Sequence, residues 1–495
     1  MKIFFVLISF IVIAKFSFAE KIYDFNLTCQ QAYKEICQLK IKNAIALIEK
    51  AKEQNEHNLI PIYLESYIDI IELFFNEDLI EFKKRKDNSD ERILKLKKGN
   101  ENSPFYLFCL SNAYLHKSIT QVRYGENMGA AWSARKAYLL IKENKDEFKT
   151  FTPNDLIFGT LQAITGTIPK SYNWIASILG MKGSLTNGMR VLKTFVNGND
   201  PWAKFYKTES EFLFSYLSFY IENKKEETIK RIQNSEFDFE NNHLLAYMAT
   251  NLFVNGKQTD LAKQIILNRN KSSEYLVTPV WDMQMGYARL NKLELAEAIS
   301  SFEKYITNFK GNFYVKDVYQ KISWAYYLQG NTFAAQKARD AVLQKGNTNS
   351  DADKQALKEA KNSQWPNIIL LKSRLLNDGG YHIDALALLL NKTINSFEKV
   401  EEQLEFVYRL GRINDDLHKE IEAIKYYKQA IALGEFRKEY YAARAALQIG
   451  NIYENQLNKT EAIKYYSHCL AMGDHDYKSS LDQRAKSGIA RCKGE

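Results

Sequence analysis

Proline is scarce, with seven residues in a chain of 495. Pro61, Pro104, Pro153, Pro169, Pro201, Pro279 and Pro366 each stand where a helix boundary fits the flanking pattern. A proline inside a helix costs about 3 kcal/mol, so this placement permits long uninterrupted helices. Alternating strand-like patterns are also rare, which leaves little from which to build a sheet. The reading is all-α.

Cysteine is sparse too: Cys29, Cys37, Cys109, Cys469 and Cys492. The number is odd and the spacings form no disulfide framework. Cys29 and Cys37 fall on what reads as one helix, about 12 Å apart along its axis. A disulfide needs Cα atoms within about 7 Å. Buried thiols are expected.

Neither sign of charge dominates, with 68 Lys and Arg against 59 Asp and Glu. The densest basic run, "FKKRKDNSDERILKLKK" from Phe82 to Lys98, is broken by Asp87, Asp90 and Glu91. A nucleic-acid footprint would be a one-signed stripe, so this run reads as a solvated helix face and nucleic acid is not an expected partner. Long apolar runs are missing except at the start. There Lys2, the run Ile3 to Ala14, Lys15 and then Ser17-Phe18-Ala19 follow the order of a secretory signal, with cleavage after Ala19. The run falls short of the roughly 18 residues that a membrane span needs, and Phe212 to Ile221 is shorter still. The expected product is exported and soluble, in the periplasm or associated with the cell envelope.

What the chain does have is helical periodicity and repetition. "AIALIEKA", "AAWSARKAYLLIKE" and "EAIKYYKQAIALG" place apolar residues three and four apart. Glu422 to Gly434, "EAIKYYKQAIALG", is nearly copied by Glu461 to Gly473, "EAIKYYSHCLAMG". Gly411 and Tyr427 bracket Ala423, and Gly450 and Tyr466 bracket Ala462, at the same intervals. Small residues let helix backbones approach, and the aromatic ring refills the contact area. This spacing resembles the tetratricopeptide repeat. Gly286, Ala298 and Phe302 keep the intervals, whereas Ser323, Ala335 and Arg339 put arginine where the aromatic belongs, and Gly380 and Ala385 fit in part. The steps between successive alanines exceed the usual 34 residues or so, so helices or connections are longer than standard. Cys469 aligns with Ala430 and reads as a small packing residue.

Four features have residue types that a site would use. In "NTNSDADKQALKE", Asn347, Asn349 and Asp351 alternate like calcium ligands, but Ala352 and Lys358 occupy the positions that need glycine and glutamate. Helix initiation at Ser350, with Asp351 and Asp353 in the first turn, fits better. His468, Cys469, His475 and Cys492 do not make a zinc site, because adjacent residues point about 100° apart on a helix and no CxxC or HxxxH pair anchors them. His57, His116, His243, His382 and His418 are scattered singly. The glycine-rich "GTIPKSYNWIASILGMKGSLTNGM" has Lys182 before its Gly183, the wrong order for a phosphate loop. It reads instead as a short wedge helix, Tyr172 to Leu179, capped by Ser171 and ended by Gly180, then a second helix capped by Ser184 and running towards Val196. No HExxH or GxSxG motif is present. Asn26, Asn270, Asn391 and Asn458 head sequons that matter only in a eukaryotic secretory pathway. No catalytic, cofactor-binding or metal-ligating residue is assigned, and no cofactor is expected.

The segments "NLIPIYLESYIDII", "SYNWIASILGMKGSLTNGM", "LLKSRLLNDGGYHIDALALL", "FVYRLGRI" and "HDYKSSLDQRAKSGIARC" together resemble a family of exported tetratricopeptide-repeat proteins of Gram-negative bacteria. The Gly166 to Met189 segment is also similar, more distantly, to the eukaryotic repeat family that includes the yeast inclusion-body clearance protein. The resemblance implies an α-solenoid of antiparallel helix pairs and an envelope location, and transfers no catalytic residue.

The expected layout is a signal peptide at 1–19 and an N-terminal helical region at 20–200, with the wedge helix near 171–180. Degenerate helical pairs follow at 201–280 and a tetratricopeptide array at 281–495. The expected function is a non-catalytic envelope scaffold that binds a protein or peptide on its concave face, with peripheral envelope association compatible with that role. The alternative is an envelope enzyme or carbohydrate-binding protein with its site in the N-terminal region. There Glu65, Asp69 and Glu72 share a helix face, and their ordinary role would be solvent exposure.

Overall fold

A computed structural model describes residues 20–167, 183–362 and 364–494. The leader and the expected wedge helix lie outside the described residues. Within them the chain is a succession of α-helices with no strand, and isolated bridges join Lys21 to Gly99 and Ile22 to Asn58. Pro61, Pro104, Pro153 and Pro201 each occupy the first turn of a helix, where no intrahelical N–H is lost. Ser184 caps Leu185–Val196 by accepting from the Asn187 N–H at 3.2 Å. Ser350 caps Asp351–Lys361 through the Asp353 N–H at 3.0 Å.

The repeats fold as antiparallel helix pairs. Val280–Asn291 pairs with Leu295–Asn308, and Val315–Leu328 with Thr332–Gln344. Val400–Asp416 pairs with Glu420–Gly434, and Tyr441–Asn455 with Lys459–Ala471. Lys478–Lys493 closes the stack. The glycine–aromatic spacing is a direct contact. A methyl group at Gly411 would lie 2.6 Å from the Tyr427 ring, one at Gly450 2.5 Å from Tyr466, and one at Gly286 2.4 Å from Phe302. Ala298, Ala335, Ala385, Ala423 and Ala462 are all fully buried, as are Ala430 and Cys469. All five cysteines are buried and unpaired, and Cys29 and Cys37 lie on one helix, Leu27–Cys37.

Arg339 explains the long step after the second pair. It is buried where an aromatic was expected, donates to the carbonyls of Glu359, Asn362 and Gln364, and lies 4.5 Å from the Trp365 ring centroid. It thus fastens the C-terminal end of the inserted helix Asp351–Lys361. At the other end of that helix, Asp353 is fully buried and accepts from the Tyr314 and Asp317 N–H groups, capping Val315–Leu328.

First helices of successive units pack on one another: Ile368–Gly379 on Val400–Asp416, then on Tyr441–Asn455, then on Lys478–Lys493. The second helices pack on first helices. In this run each second helix is thus set against the first helix of the next unit, and the first helices form one row.

The N-terminal helices form pairs too, and one apolar core runs from Phe25 to Met285. Pro153–Thr165 meets Leu185–Val196 backbone to backbone, because a methyl group at Gly188 would lie 2.4 Å from the Ala163 nitrogen. This region also docks on the segment that leads into the array and on the array itself. The Leu276 N–H donates to the Leu39 carbonyl at 2.8 Å, and Lys40 pairs with Glu274 at 3.0 Å. Lys310 pairs with Asp78 at 2.8 Å, and Glu77 accepts from the Asn312 N–H at 3.1 Å. No described helix is long and apolar enough to cross a membrane.

Candidate functional site

The last three first helices, with the residues that open them, carry tyrosine and arginine on a shared side. In Val400–Asp416, Glu405, Arg409 and Arg412 recur at helical spacing beside Tyr408. Tyr440 and Tyr441 open the next helix, which also carries Arg444, and Tyr477 and Arg484 belong to the last unit. The rings join across helices, with centroids 5.2 Å apart for Tyr408 and Tyr441, 4.5 Å for Tyr440 and Tyr441, and 5.0 Å for Tyr440 and Tyr477. Arg409 donates twice to the Glu405 carboxylate, at 3.0 and 2.7 Å, and its guanidinium lies near the Tyr408 and Tyr441 rings. A carboxylate held by an arginine that itself lies against tyrosine rings is therefore already built once into this surface.

Cations from earlier in the chain reach the same side. Lys257 pairs with Asp416, which also accepts from Asn377 at 2.8 Å and faces Arg412 at 3.7 Å. The approach depends on Gly380, whose φ is +95° and where a methyl group would lie 2.1 Å from the Lys257 carbonyl oxygen. Burial pushes the Asp416 carboxyl up, but Arg412 and Lys257 outweigh it and hold the group at about 2.

Three cations in this neighbourhood have neither an ion-pair nor a hydrogen-bond partner among the described residues. Arg444 is half-buried, and its Nε is shielded from water without an acceptor. Arg484 and Lys225 are open to solvent, and yet both are perturbed. Desolvation by the surrounding protein, with Arg444 nearby, lowers Arg484 to about 10. Desolvation, with Arg484, Arg412, Arg444 and Lys257 nearby, lowers Lys225 to about 7. Groups that water reaches but protein surrounds sit in a recess, and here the recess gathers like charges.

A second concavity of about 550 Å³ lies where the N-terminal region docks on the array. Glu72, Asp78, Glu81 and Asp282 line it with Arg85 and Lys310, and no aromatic ring does. Glu65, Asp69 and Glu72 do share a face of Ile60–Asn76, as the spacing predicts. They do not, however, stand free in solvent. Helices Leu79–Arg85 and Asn88–Leu96 fold back and bring Arg85 and Arg92 over them. Arg92 pairs with Glu65 at 3.1 Å and with Asp69, and Arg85 pairs with Asp69 at 3.1 Å and with Glu72. Lys52 completes the ladder at Glu65. The basic run Phe82 to Lys98 is thus partly turned inward, a correction to its reading as a solvated face. Asp78 caps Leu79–Arg85 and pairs with Lys310, which holds its carboxyl below the usual range. Asp282 has no ion-pair partner in the cleft, and burial raises its carboxyl above the usual range against the pull of Lys304, Arg269 and Arg289.

No family model matches the chain, and no curated protein matches it. Among solved structures it aligns with the crystal structure of the APC/C hetero-tetramer Cut9-Hcn1, at 12% identity over 93% of this chain and 95% of that one. The TM-score is 0.21, a likeness too low to carry an argument. The fold assignment rests on the helix pairs and their glycine–aromatic contacts.

This tyrosine–arginine surface is not marked in the sequence as a site. Its signal lay in "FVYRLGRI" and "YYAARAAL", where Tyr and Arg stand beside packing residues. A one-dimensional reading gives most aromatics to helix packing, and only the stacking of helices brings Tyr408, Tyr440, Tyr441 and Tyr477 together.

Proposed function

We propose that the protein is a non-catalytic scaffold of tetratricopeptide type, exported to the cell envelope, which holds a protein partner against the inner face of its first helices. The observation that carries this reading is the pair Arg444 and Arg484, without an ion-pair or hydrogen-bond partner among the described residues, on the helices that carry a continuous tyrosine cluster. Buried or recessed cations are ordinarily paired, and tyrosine and arginine are the residues most enriched where proteins bind proteins. The helix-pair architecture supplies the extended inner surface that such binding uses. Export rests on the leader pattern at Lys2 to Ala19.

The test is affinity capture from the native envelope with three proteins: wild type, an Arg444→Gln/Arg484→Gln variant, and Lys428→Gln on an outer second helix. A partner recovered with wild type and Lys428→Gln but lost from the arginine variant supports the reading. Failure to recover any partner with wild type refutes it. Mass measurement of the secreted chain reads the cleavage after Ala19 directly.

The carbohydrate or enzyme alternative keeps one observation in its favour, the unpaired Asp282 in the acidic cleft. Retention on envelope polysaccharide that Asp282→Asn abolishes would favour it over the scaffold.

A further inference from the structure

We infer that the segment of the partner that enters this recess is an acidic peptide, with carboxylates seated on Arg444 and Arg484 and intervening side chains lying against Tyr408, Tyr440 and Tyr477. The inference rests on the scaffold reading and specifies the chemistry of its ligand.

The surface shows how it holds a carboxylate. Glu405 is gripped by Arg409 with the rings of Tyr408 and Tyr441 alongside, and Asp416 is gripped by Lys257 and Arg412. Arg444 stands one helix further on and Arg484 one further still, in the same row of first helices, and neither has an acid. Arginine's planar fork matches a carboxylate with two parallel hydrogen bonds. Within the recess the cations Lys225, Lys257, Arg412, Arg444 and Arg484 meet the acids Asp378, Asp415 and Asp416, and Asp378 is paired with Arg374 at 3.8 Å. Of these acids, Asp415 is occupied by Tyr427 and Gln448 and Asp416 by Lys257 and Asn377. The surplus is positive, and a ligand carboxylate would offset both the desolvation and the like-charge repulsion that push Lys225 and Arg484 down.

Two features favour a peptide over an anionic membrane. The cations sit inside a protein-walled recess that a flat bilayer does not enter. The tyrosines beside them offer rings to side chains of an extended chain.

The experiment uses the full-length mature protein and a fluorescein-labelled peptide of alternating glutamate and leucine. A glutamine–leucine peptide of equal length is the uncharged control, and phosphatidylglycerol vesicles are the membrane control. The glutamate peptide should bind more tightly than the glutamine peptide by about tenfold or more, equivalent to about 1.4 kcal/mol, and weaken with added salt. Arg444→Gln/Arg484→Gln should remove that preference, whereas Lys428→Gln should keep it. Lys225→Gln, at an exposed position that folding tolerates, should weaken it in the same direction and guards against misfolding of the arginine variant.

Equal binding of the two peptides, or a preference that survives the arginine changes, overturns the inference. So does vesicle binding that depends on the same arginines without peptide binding. If envelope partners are still captured by the arginine variant, the acidic-peptide inference fails while the scaffold reading stands. If wild type captures no partner yet prefers the glutamate peptide, the scaffold reading fails and the anion-binding recess stands.

Discussion

Tyr466 is held between two glycines. Methyl groups at Gly450 and at Gly488 would each lie 2.5 Å from its ring, on opposite edges, and its hydroxyl donates to Asn451 at 2.8 Å. The ring therefore has no direction in which to retreat. Gly450→Ala gains about 1 kcal/mol of helix propensity, but forced overpacking costs about 1–3 kcal/mol. With the ring pinned on both sides the clash wins, and we expect a net loss of about 1–2 kcal/mol by urea denaturation. Gly473→Ala, where nothing lies within 4 Å, should change stability by less than about 0.5 kcal/mol. This contact was legible in the sequence because it is periodic: the same intervals recur at Gly411 and Tyr427. His116 was not legible, because nothing periodic marks it. It is buried, its Nδ1 is 2.9 Å from Ser66 Oγ, and desolvation lowers it to about 3. Its ordinary value is about 6.5, so below pH 6.5 the unfolded chain takes up a proton that the fold refuses. Stability is full above pH 6.5 and falls as pH drops towards 3. Between pH 7 and pH 5 this one group removes about 2 kcal/mol, a difference that His116→Asn should abolish in paired denaturation curves.

At the scale of elements, the extra helix Asp351–Lys361 depends on one charged side chain. The alanine steps announced an insertion between the second and third pairs, but they did not say how it is held. Arg339 looked like a worn repeat position because its partners are backbone carbonyls of Glu359, Asn362 and Gln364, which no sequence pattern marks. Hydrogen bonds from a charged donor contribute about 1.5–3 kcal/mol each, and their loss would take the donor from the Asn362 and Gln364 carbonyls and the cation from the Trp365 ring. We expect Arg339→Met to cost the insertion about 2–3 kcal/mol of local stability, read as faster amide exchange across Asp351–Lys361. Exchange in Tyr441–Asn455 and Lys459–Ala471 should hold, since stacked repeats pass energy mainly to their neighbours. Uniform acceleration over the whole chain would count against this account.

At the scale of the whole molecule, the fold departs from a purely nearest-neighbour stack. Glu77, in the left-handed conformation at φ 46°, is buried and pairs with Arg123 at 3.1 Å while accepting from the Asn312 N–H. Arg123 in turn lies 4.0 Å from the Phe313 ring centroid and 5.0 Å from that of Phe74. One carboxylate thus joins the end of Ile60–Asn76, the end of Pro104–Arg123 and the loop before Val315–Leu328. Residues so far apart share no repeat register, so no periodicity could have announced the joint. Periodic signals report what each helix does with its neighbours, and this contact arises only when the chain returns on itself. Removing one partner of a buried ion pair costs about 3–5 kcal/mol, because the other charge is left behind. Glu77→Ala should therefore strand Arg123 beneath two rings and speed amide exchange on both sides of the joint, in Ile60–Asn76 and in Val315–Leu328 together. Acceleration confined to residues 309–313 would mean that the N-terminal region and the array merely touch. Acceleration on both sides would show that Glu77 couples them into one cooperative body.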